Sequence, residues 1–374
     1  MKKHYSSYPF FPEEDIDKIL TEIKQILIGE KMLTMSDNVK KFEQEFAAFC
    51  GTKYAVVTNS CSSALEVCLN ALNLSKDDEV IVPAQTFIAT GASVLRAGAT
   101  IVFCDTDRNF LLDFESLKSK ITSNTKAVII VHFAGLISKD VFKIKKYLEE
   151  RNIVLIEDAA HAHGAVMDQI KAGNIGDFGC FSFYSTKIMT AGEGGIITTN
   201  NNSYYKKCAS IRNRGIDSDF DKKECFINLG SNYRMTEIQA ILCRTQLDRL
   251  PEFLLHRKRI AAVYKNELKD LIDSKKLRLQ NYDGNNGHSY WRFIVFLNDG
   301  LDRDHIKSKM QAKNIIVDAP YDPLLHQQPL FKNKEVFQNA DYYCNHHISL
   351  PIHMLVSVND AVFIAKSLRE SICE

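Results

Sequence analysis

Short apolar runs alternate with helical patterns between residues 40 and 200, and this alternation limits the folds open to the chain more than any other feature. Amphipathic segments at residues 39–50, 62–72 and 140–150 precede or separate the runs. The runs are rich in β-branched residues and occupy residues 54–58, 79–82, 100–104, 127–131 and 153–156. Near-continuous apolar strands joined by helices are typical of a parallel sheet buried on both faces. The sequence therefore predicts an α/β domain with a mostly parallel central sheet and helices on both faces.

The pattern changes after residue 200. A helix at 203–211 precedes a long helical region, 235–271, which we expect to be interrupted at Pro251. A strand-like run at 290–297, a helix at 302–313, an extended piece near 348–350 and a final helix from Val358 complete the chain. This order predicts a smaller α+β domain. We expect a large domain over residues 12–248 and a small C-terminal domain over residues 249–374, with residues 1–11 packing near the latter.

Charge and cysteine content bear on the partners and the compartment. The 374 residues carry 47 basic and 46 acidic side chains, a formal net charge of +1. Proteins that bind nucleic acid or anionic membranes usually carry a basic excess, so we expect neither partner. The apolar runs are also far shorter than the roughly 20 residues of a membrane-spanning helix. Ten cysteines without a Cys-x-x-Cys pair indicate reduced thiols and a cytoplasmic protein.

Polar residues follow the predicted strands, where ligands of open parallel sheets bind. The small hydroxyl residues of segment 59–63 either cap the next helix or hold an anion with its N–H groups. Phe87, after the second run, is either a core residue or a stacking surface for a flat ligand. Glu157 and Asp158 end the fifth run, and because strand residues alternate in direction, only one of these carboxylates faces a given site.

Two further features bear on metal binding and on nucleophilic chemistry. His161 and His163 would need further ligands beside Asp158 to hold a metal, and none stands at a recognisable spacing, so we expect no metal. Lys187 precedes the glycine-rich turn 192–195 and is either a desolvated nucleophile or a lysine reaching from a strand end to water. That turn leads into a strand, so it is not the fingerprint of a dinucleotide-binding oxidoreductase.

Together these signals describe one ligand. Ser62 and Ser63 suit a phosphate, Phe87 a flat ring, Asp158 a basic ring nitrogen and Lys187 an aldehyde. Pyridoxal 5′-phosphate combines these four groups, since it needs a Schiff-base lysine and a carboxylate opposite its pyridine nitrogen. The sequence therefore predicts this cofactor.

Five segments also carry a family resemblance. The chain resembles the sugar aminotransferases of the DegT/StrS family from about residue 10 to residue 351, most clearly at segments 59–65, 80–87, 157–164, 181–195 and 230–237. The resemblance implies the aspartate-aminotransferase fold, fold type I, and a homodimer whose active sites are shared between subunits.

The resemblance also implies roles for individual residues. Lys187 would bind the cofactor and move the substrate proton, and Asp158 would pair with the pyridine nitrogen. Phe87 would stack on the ring, and His161 would lie on its O3′ side. The phosphate would be bound by Ser62, Ser63, Ser182 and Asn232 of the partner subunit, and His326 would belong to the substrate pocket.

The implied reaction moves an amino group from L-glutamate to a keto group of a nucleotide-linked deoxysugar, in the biosynthesis of cell-surface glycans or related products. The chain departs from the common family pattern at Cys61 and in segment 318–326, which leaves a small phosphorylated ketone or a cyclitol ketone open as the acceptor. A sugar dehydratase of the same family would lack the lysine found at Lys187. A non-enzymatic regulator would not need the full set of Lys187, Asp158 and Phe87.

Overall fold

The structure, a computed structural model, describes residues 2–30, 32–217, 225–280 and 287–373. The strands, numbered along the chain, are β1 Tyr54–Thr58, β2 Glu79–Pro83, β3 Thr100–Cys104, β4 Thr125–Val131, β5 Val154–Asp158, β6 Val166–Met167, β7 Ile170–Lys171, β8 Phe178–Ser182, β9 Gly195–Thr199, β10 Ile216–Asp217, β11 Cys225–Phe226, β12 Leu277–Leu279, β13 Phe293–Leu297 and β14 His347–Leu350. The α-helices are α1 Glu13–Gln25, α2 Asp37–Cys50, α3 Cys61–Ala71, α4 Ile88–Arg96, α5 Phe114–Lys120, α6 Val141–Glu149, α7 Asn202–Arg212, α8 Glu237–Glu267, α9 Lys269–Asp273, α10 Arg303–Ala312, α11 Gln338–Asn345 and α12 Val358–Cys373.

A seven-stranded sheet forms the centre of the large domain, in the order β1-β9-β8-β5-β4-β2-β3. Every pair is parallel except the two that include β9, which runs against both β1 and β8. One buried cluster covers each face, with helix α2 in the first and helix α3 in the second. The predicted fold class, a mostly parallel α/β sheet with helices on both faces, is confirmed.

Local sequence explains where the helices of this domain begin and end. Helix α2 buries Phe42 and Phe46 on one face and stops at Gly51, whose φ of 81° is the left-handed conformation that favours glycine. Helix α3 begins at Ser60, whose hydroxyl accepts the N–H of Ser63. Because β1 leads directly into that start, the N–H groups of α3 lie at the carboxyl edge of the sheet.

Helix α8 contradicts the predicted interruption at Pro251. The helix is continuous over 31 residues with the proline inside it. Proline removes a single N–H from the helix ladder, and Leu250 and Phe253 on either side of it are buried in the large core. This packing holds the helix together across the proline. In the described ranges of the chain, no helix is both long and apolar enough to cross a membrane.

A second core lies at the C-terminal end of the chain. Strands β12, β13 and β14 form an antiparallel sheet, packed with α10, α12 and the last turns of α8. The predicted boundary at residue 248 falls inside α8, which contributes Leu247 to the large core and Ile260 to the small one. At the N-terminus, His4 pairs with Ile315 beside this small core. The exact division into domains stays a prediction.

Candidate active site

A cavity of about 570 Å³ lies where the carboxyl edge of the large sheet meets the small C-terminal core. The start of α3 and the loops after β2, β5 and β8 form its large-domain side. The small-domain side consists of Trp291, Arg292, Asp318, Pro320 and Tyr321. Six residues singled out from the sequence line this cavity together: Ser62, Phe87, Asp158, His161, Ser182 and Lys187.

The start of α3 forms an anion-binding corner of the cavity. Ser60 caps the helix, which leaves the N–H groups of Cys61 and Ser62 pointing out of its first turn. Gly195 allows this geometry, because a Cβ there would lie 2.4 Å from the carbonyl of Ser60 and 2.6 Å from the nitrogen of Cys61. Ser182, at the end of β8, lines the same cavity. Backbone N–H groups, hydroxyls and the helix dipole together suit a phosphate.

Ser63 does not line the cavity, although the sequence predicts that it binds the phosphate. Its hydroxyl donates to Asn59 Oδ1 at 2.6 Å and lies 3.0 Å from the hydroxyl of Ser60. Ser60 and Ser62 instead are the serines of this segment that line the cavity. The hydroxyl of Ser63 thus holds the helix start together, while that of Ser62 remains available to a ligand.

The two carboxylates at the end of β5 point to opposite sides of the sheet. Glu157 is fully buried, accepts three N–H bonds from the turn at 173–176 and contacts His132 Nε2 at 2.8 Å. Asp158 lines the cavity and accepts bonds from Thr90 Oγ1 at 2.8 Å and from the N–H of Ala160 at 3.2 Å. Only Asp158 therefore faces the site, as the alternation of strand residues predicts.

Burial sets the electrostatics of Asp158 and Lys187. Desolvation raises the pKa of Asp158, while the hydrogen bond from Thr90 lowers it. Desolvation also lowers the pKa of Lys187 to about 8, against the attraction of Asp158. The Lys187 ammonium lies 4.2 Å from the centroid of the Trp291 ring. An amine with a pKa near 8 is partly neutral at neutral pH and can act as a nucleophile and as a base.

An aromatic wall encloses one side of the cavity. His161 stacks on Trp291 with centroids 3.7 Å apart, and its Nε2 lies 2.8 Å from the hydroxyl of Tyr321. Trp291 is itself fixed by a 2.8 Å bond from its Nε1 to the carbonyl of Thr186. Phe87 is 50% exposed, 5.6 Å from the ring of Tyr321. Since its ring is open to the cavity, a flat ligand has a surface to stack on.

His163 does not join His161 in a common site. His163 is buried between Phe181 and Phe183, and desolvation lowers its pKa to about 3. Among the residues that the structure describes, no group of three or more His, Cys, Asp or Glu side chains is placed to hold a metal ion.

Besides Ser63, two predicted site residues lie outside the cavity of this single chain. Asn232 is exposed, in the segment that leads into α8. His326 is 2% exposed, and its ring packs against Phe103 and Phe337 beneath the surface. The side chain of His326 is therefore enclosed by neighbouring rings, away from the cavity where we expected it.

Other residues of the site were not recognised from the sequence. Thr90 carries no motif of its own, and its role follows only from its bond to Asp158. Trp291 could have been found from the sequence, because it is the single tryptophan of the chain and lies in the predicted strand 290–297. Arg292 and Tyr321 are distant in sequence from every strand end of the large domain, and only the packing of the two cores brings them to the site.

Comparison with known proteins agrees with this geometry. Residues 13–369 match the DegT/DnrJ/EryC1/StrS aminotransferase family. The chain is 38% identical over 280 residues to GDP-perosamine synthase from Caulobacter vibrioides, covering 74% of each chain. It is 32% identical to UDP-N-acetyl-3-dehydro-alpha-D-glucosamine 3-aminotransferase from Acidithiobacillus ferrooxidans, over 95% of this chain and 94% of that one. The structure of Helicobacter pylori PseC, an aminotransferase involved in the biosynthesis of pseudoaminic acid, superposes with a TM-score of 0.92 at 25% identity, covering 99% of both chains.

Proposed function

The chain belongs to the DegT/DnrJ/EryC1/StrS aminotransferase family, and from this premise we propose that it transfers an amino group from L-glutamate to a keto group of a nucleotide-linked sugar. Membership makes it a pyridoxal 5′-phosphate-dependent sugar aminotransferase, and the resemblance seen in the sequence is confirmed. The observation that carries the proposal is the placement of Lys187 and Asp158 in one cavity with an open aromatic face.

The residues of the cavity fit the cofactor. The first N–H groups of α3, with Ser62 and Ser182, would hold the phosphate, and Phe87 would cover one face of the ring. His161 Nδ1 is buried and has no hydrogen-bond partner among the described residues, so it is free to bind a ligand atom. The cofactor, when bound at Lys187, supplies an electron-accepting ring that stabilises negative charge on the substrate carbon.

Lys187 carries the proton in this proposal. Its amine, with a pKa lowered to about 8, would take the proton from the substrate carbon that bears the amino group and would deliver it to the cofactor carbon on the other side of that nitrogen. The indole of Trp291, with its ring centroid 4.2 Å from the amine, lies against Lys187, and His161 stacks on the same indole. A lysine at this position separates the chain from the dehydratases that lack it.

Asp158 holds the proton on the pyridine nitrogen. Because its carboxylate is buried, ionisation costs free energy of desolvation. The hydrogen bond from Thr90 offsets part of that cost, and a protonated ring nitrogen would offset more. A protonated ring withdraws electrons more strongly than a neutral one. Desolvation raises the pKa of Asp158 although Lys187 lowers it, and a protonated ring nitrogen beside the carboxylate would stabilise its charged form further.

We propose that two copies of the chain complete the site. The helix-start residues form only part of a phosphate site, and Asn232 lies on the surface, where it would reach the phosphate bound by the other copy. Leu229, three residues earlier, is 95% exposed, as expected of a side chain that a partner subunit covers. We place the protein in the cytoplasm, because all ten cysteines are free thiols.

The acceptor is proposed from the relatives. The two curated relatives named above are a GDP-perosamine synthase and a UDP-sugar aminotransferase, and this supports a nucleotide-linked keto sugar and a role in glycan biosynthesis. The segment that departs from the family pattern supplies Asp318, Pro320 and Tyr321 to the cavity. Because these residues border the space for the acceptor, a small phosphorylated ketone or a cyclitol ketone is the second candidate.

Absorption spectroscopy tests the proposal. The purified protein should be yellow, and L-glutamate should remove the visible band with release of 2-oxoglutarate. A nucleotide-linked keto sugar should then restore the band, whereas restoration by a small phosphorylated ketone alone would favour the second candidate. Borohydride should fix the cofactor to the wild-type chain but not to the Lys187→Ala variant, as intact mass will show. A colourless protein, or a variant with wild-type turnover, would refute the proposal.

A further inference from the structure

Arg292 is the single arginine among the described residues that line the cavity. It is 6% exposed, and its guanidinium carbon lies 4.7 Å from the centroid of the Trp291 ring. The amine of Lys187 lies against the same ring at 4.2 Å. A buried guanidinium and the reactive amine therefore border one indole, on the side of the cavity that belongs to the small C-terminal core.

The hydrogen bonds of Arg292 are incomplete. Its Nη1 donates to the carbonyl of Ser6 at 2.5 Å, and its Nη2 lies 3.3 Å from Asp318 Oδ2. Its Nε is buried and has no partner among the described residues, and the same holds for Asp318 Oδ1. A guanidinium has five N–H groups, so this one retains donors for another acceptor. An unsatisfied buried cation favours the binding of an anion.

Two substrates of different charge must use this one cavity in turn, if the proposed function holds. The donor carries two carboxylates, whereas the ketone-bearing ring of the acceptor is uncharged. Asp318, at 3.3 Å, neutralises part of the charge of Arg292 when no other anion is present. A carboxylate that forms a bidentate pair with the guanidinium binds it more strongly than Asp318 does at 3.3 Å.

Resting on the proposed function, we propose that Arg292 binds a carboxylate of the amino donor, with Asp318 as the counter-ion that this carboxylate displaces. The donor nitrogen reacts at the group held by Lys187, and a guanidinium on the same indole is within reach of the rest of that small molecule. The pair then serves both half-reactions. Arg292 binds the acidic donor in the first, and in the second Asp318 again neutralises part of the charge of Arg292 while the uncharged sugar ring is bound.

Stopped-flow loss of the visible band, measured on the cofactor-loaded enzyme, tests this inference. Arg292→Gln should raise the L-glutamate concentration needed for half-maximal rate by about ten- to a hundredfold, as expected for lost hydrogen bonds to a charged group. Asp318→Asn should lower it by about two- to fivefold, since a partly exposed ion pair is weak. Imine exchange of the bound cofactor with n-propylamine, which has no carboxylate, is followed as a shift of the band and should be equally fast in wild type and Arg292→Gln.

Arg303→Gln is the matched control. Arg303 also donates to one carbonyl, that of Cys344, and to Asp322, and it pairs with Asp304 at 3.6 Å, but it does not line the cavity. An equal loss with n-propylamine in Arg292→Gln, or an unchanged glutamate dependence, would overturn the inference. Calorimetric binding of glutarate, a dicarboxylate without an amine, should weaken in Arg292→Gln alone. If glutamate fails to react with the wild type, the proposed donor is wrong, and glutarate binding still decides the role of Arg292.

Discussion

Replacing Thr90 with valine tests how the cavity keeps Asp158 ionised. Thr90 Oγ1 donates to Asp158 Oδ2 at 2.8 Å, and the N–H of Ala160 donates to the other oxygen at 3.2 Å. Burial raises the pKa of Asp158, and these two bonds lower it. Valine has nearly the shape of threonine but no hydroxyl, so the variant removes the shorter bond with little change in packing.

The expected size of the effect follows from that single bond. A hydrogen bond to a charged group contributes about 1.5–3 kcal/mol, and about 1.4 kcal/mol corresponds to one pKa unit. The pKa of Asp158 in Thr90→Val should therefore rise by about one to two units. Because Asp158 acts as a carboxylate, the acid limb of the pH–rate profile should move to higher pH by the same amount. At pH values above both acid limbs, where Asp158 is ionised in either protein, the rate should change little.

The assay is the loss of the visible band with saturating L-glutamate, followed by stopped flow as a function of pH. Thr90→Ser is the control, since serine keeps the hydroxyl and should retain the wild-type profile. Equal cofactor loading of all three proteins is checked by their absorbance. If Thr90→Val keeps the wild-type acid limb, or if Thr90→Ser shifts as far as the valine variant, the hydrogen bond is not what controls Asp158.

Three further predictions concern stability. Ser60→Ala removes the cap of α3 and should lower the free energy of unfolding by about 1 kcal/mol in urea titrations; no change would contradict the cap. His326→Ala should lower the free energy of unfolding by about 2 kcal/mol, because it leaves a cavity beside Phe103. The KM values for both substrates should not change. A raised KM would show that His326 contributes to the substrate pocket. Burial lowers the pKa of His347 to about 4, so stability should decline as pH falls below about 6.5, and His347→Gln should reduce that decline.

The parallel sheet was predictable because its signal is local. Each strand is a short apolar run of residues such as Val80, Ile81 and Val82, which are buried whatever neighbours they pair with. The sites after those strands were predictable for the same reason, since the carboxyl ends of parallel strands share one edge. Helix α8 was predicted less well, because the packing of Leu250 and Phe253 outweighs the local effect of Pro251.

Residues whose role depends on contacts between distant segments could not be found in this way. Ser63 and Ser62 are adjacent and chemically alike, and only the three-dimensional path of the helix start decides which of them faces the cavity. His326 is a polar residue followed by two glutamines, yet the structure encloses it among aromatic rings.

The sequence by itself determined the parallel sheet and the cofactor, and it predicted Lys187 and Asp158 as the residues that bind it, because these depend on which residues follow each strand. The tertiary structure decided the rest of the cavity. Trp291, Arg292 and Tyr321 come from the C-terminal part of the chain, more than a hundred residues after Lys187, and no local pattern records that they meet it. Packing of the two cores against each other creates the desolvation that lowers the pKa of Lys187. Side-chain identity is local, whereas burial and proximity belong to the whole fold.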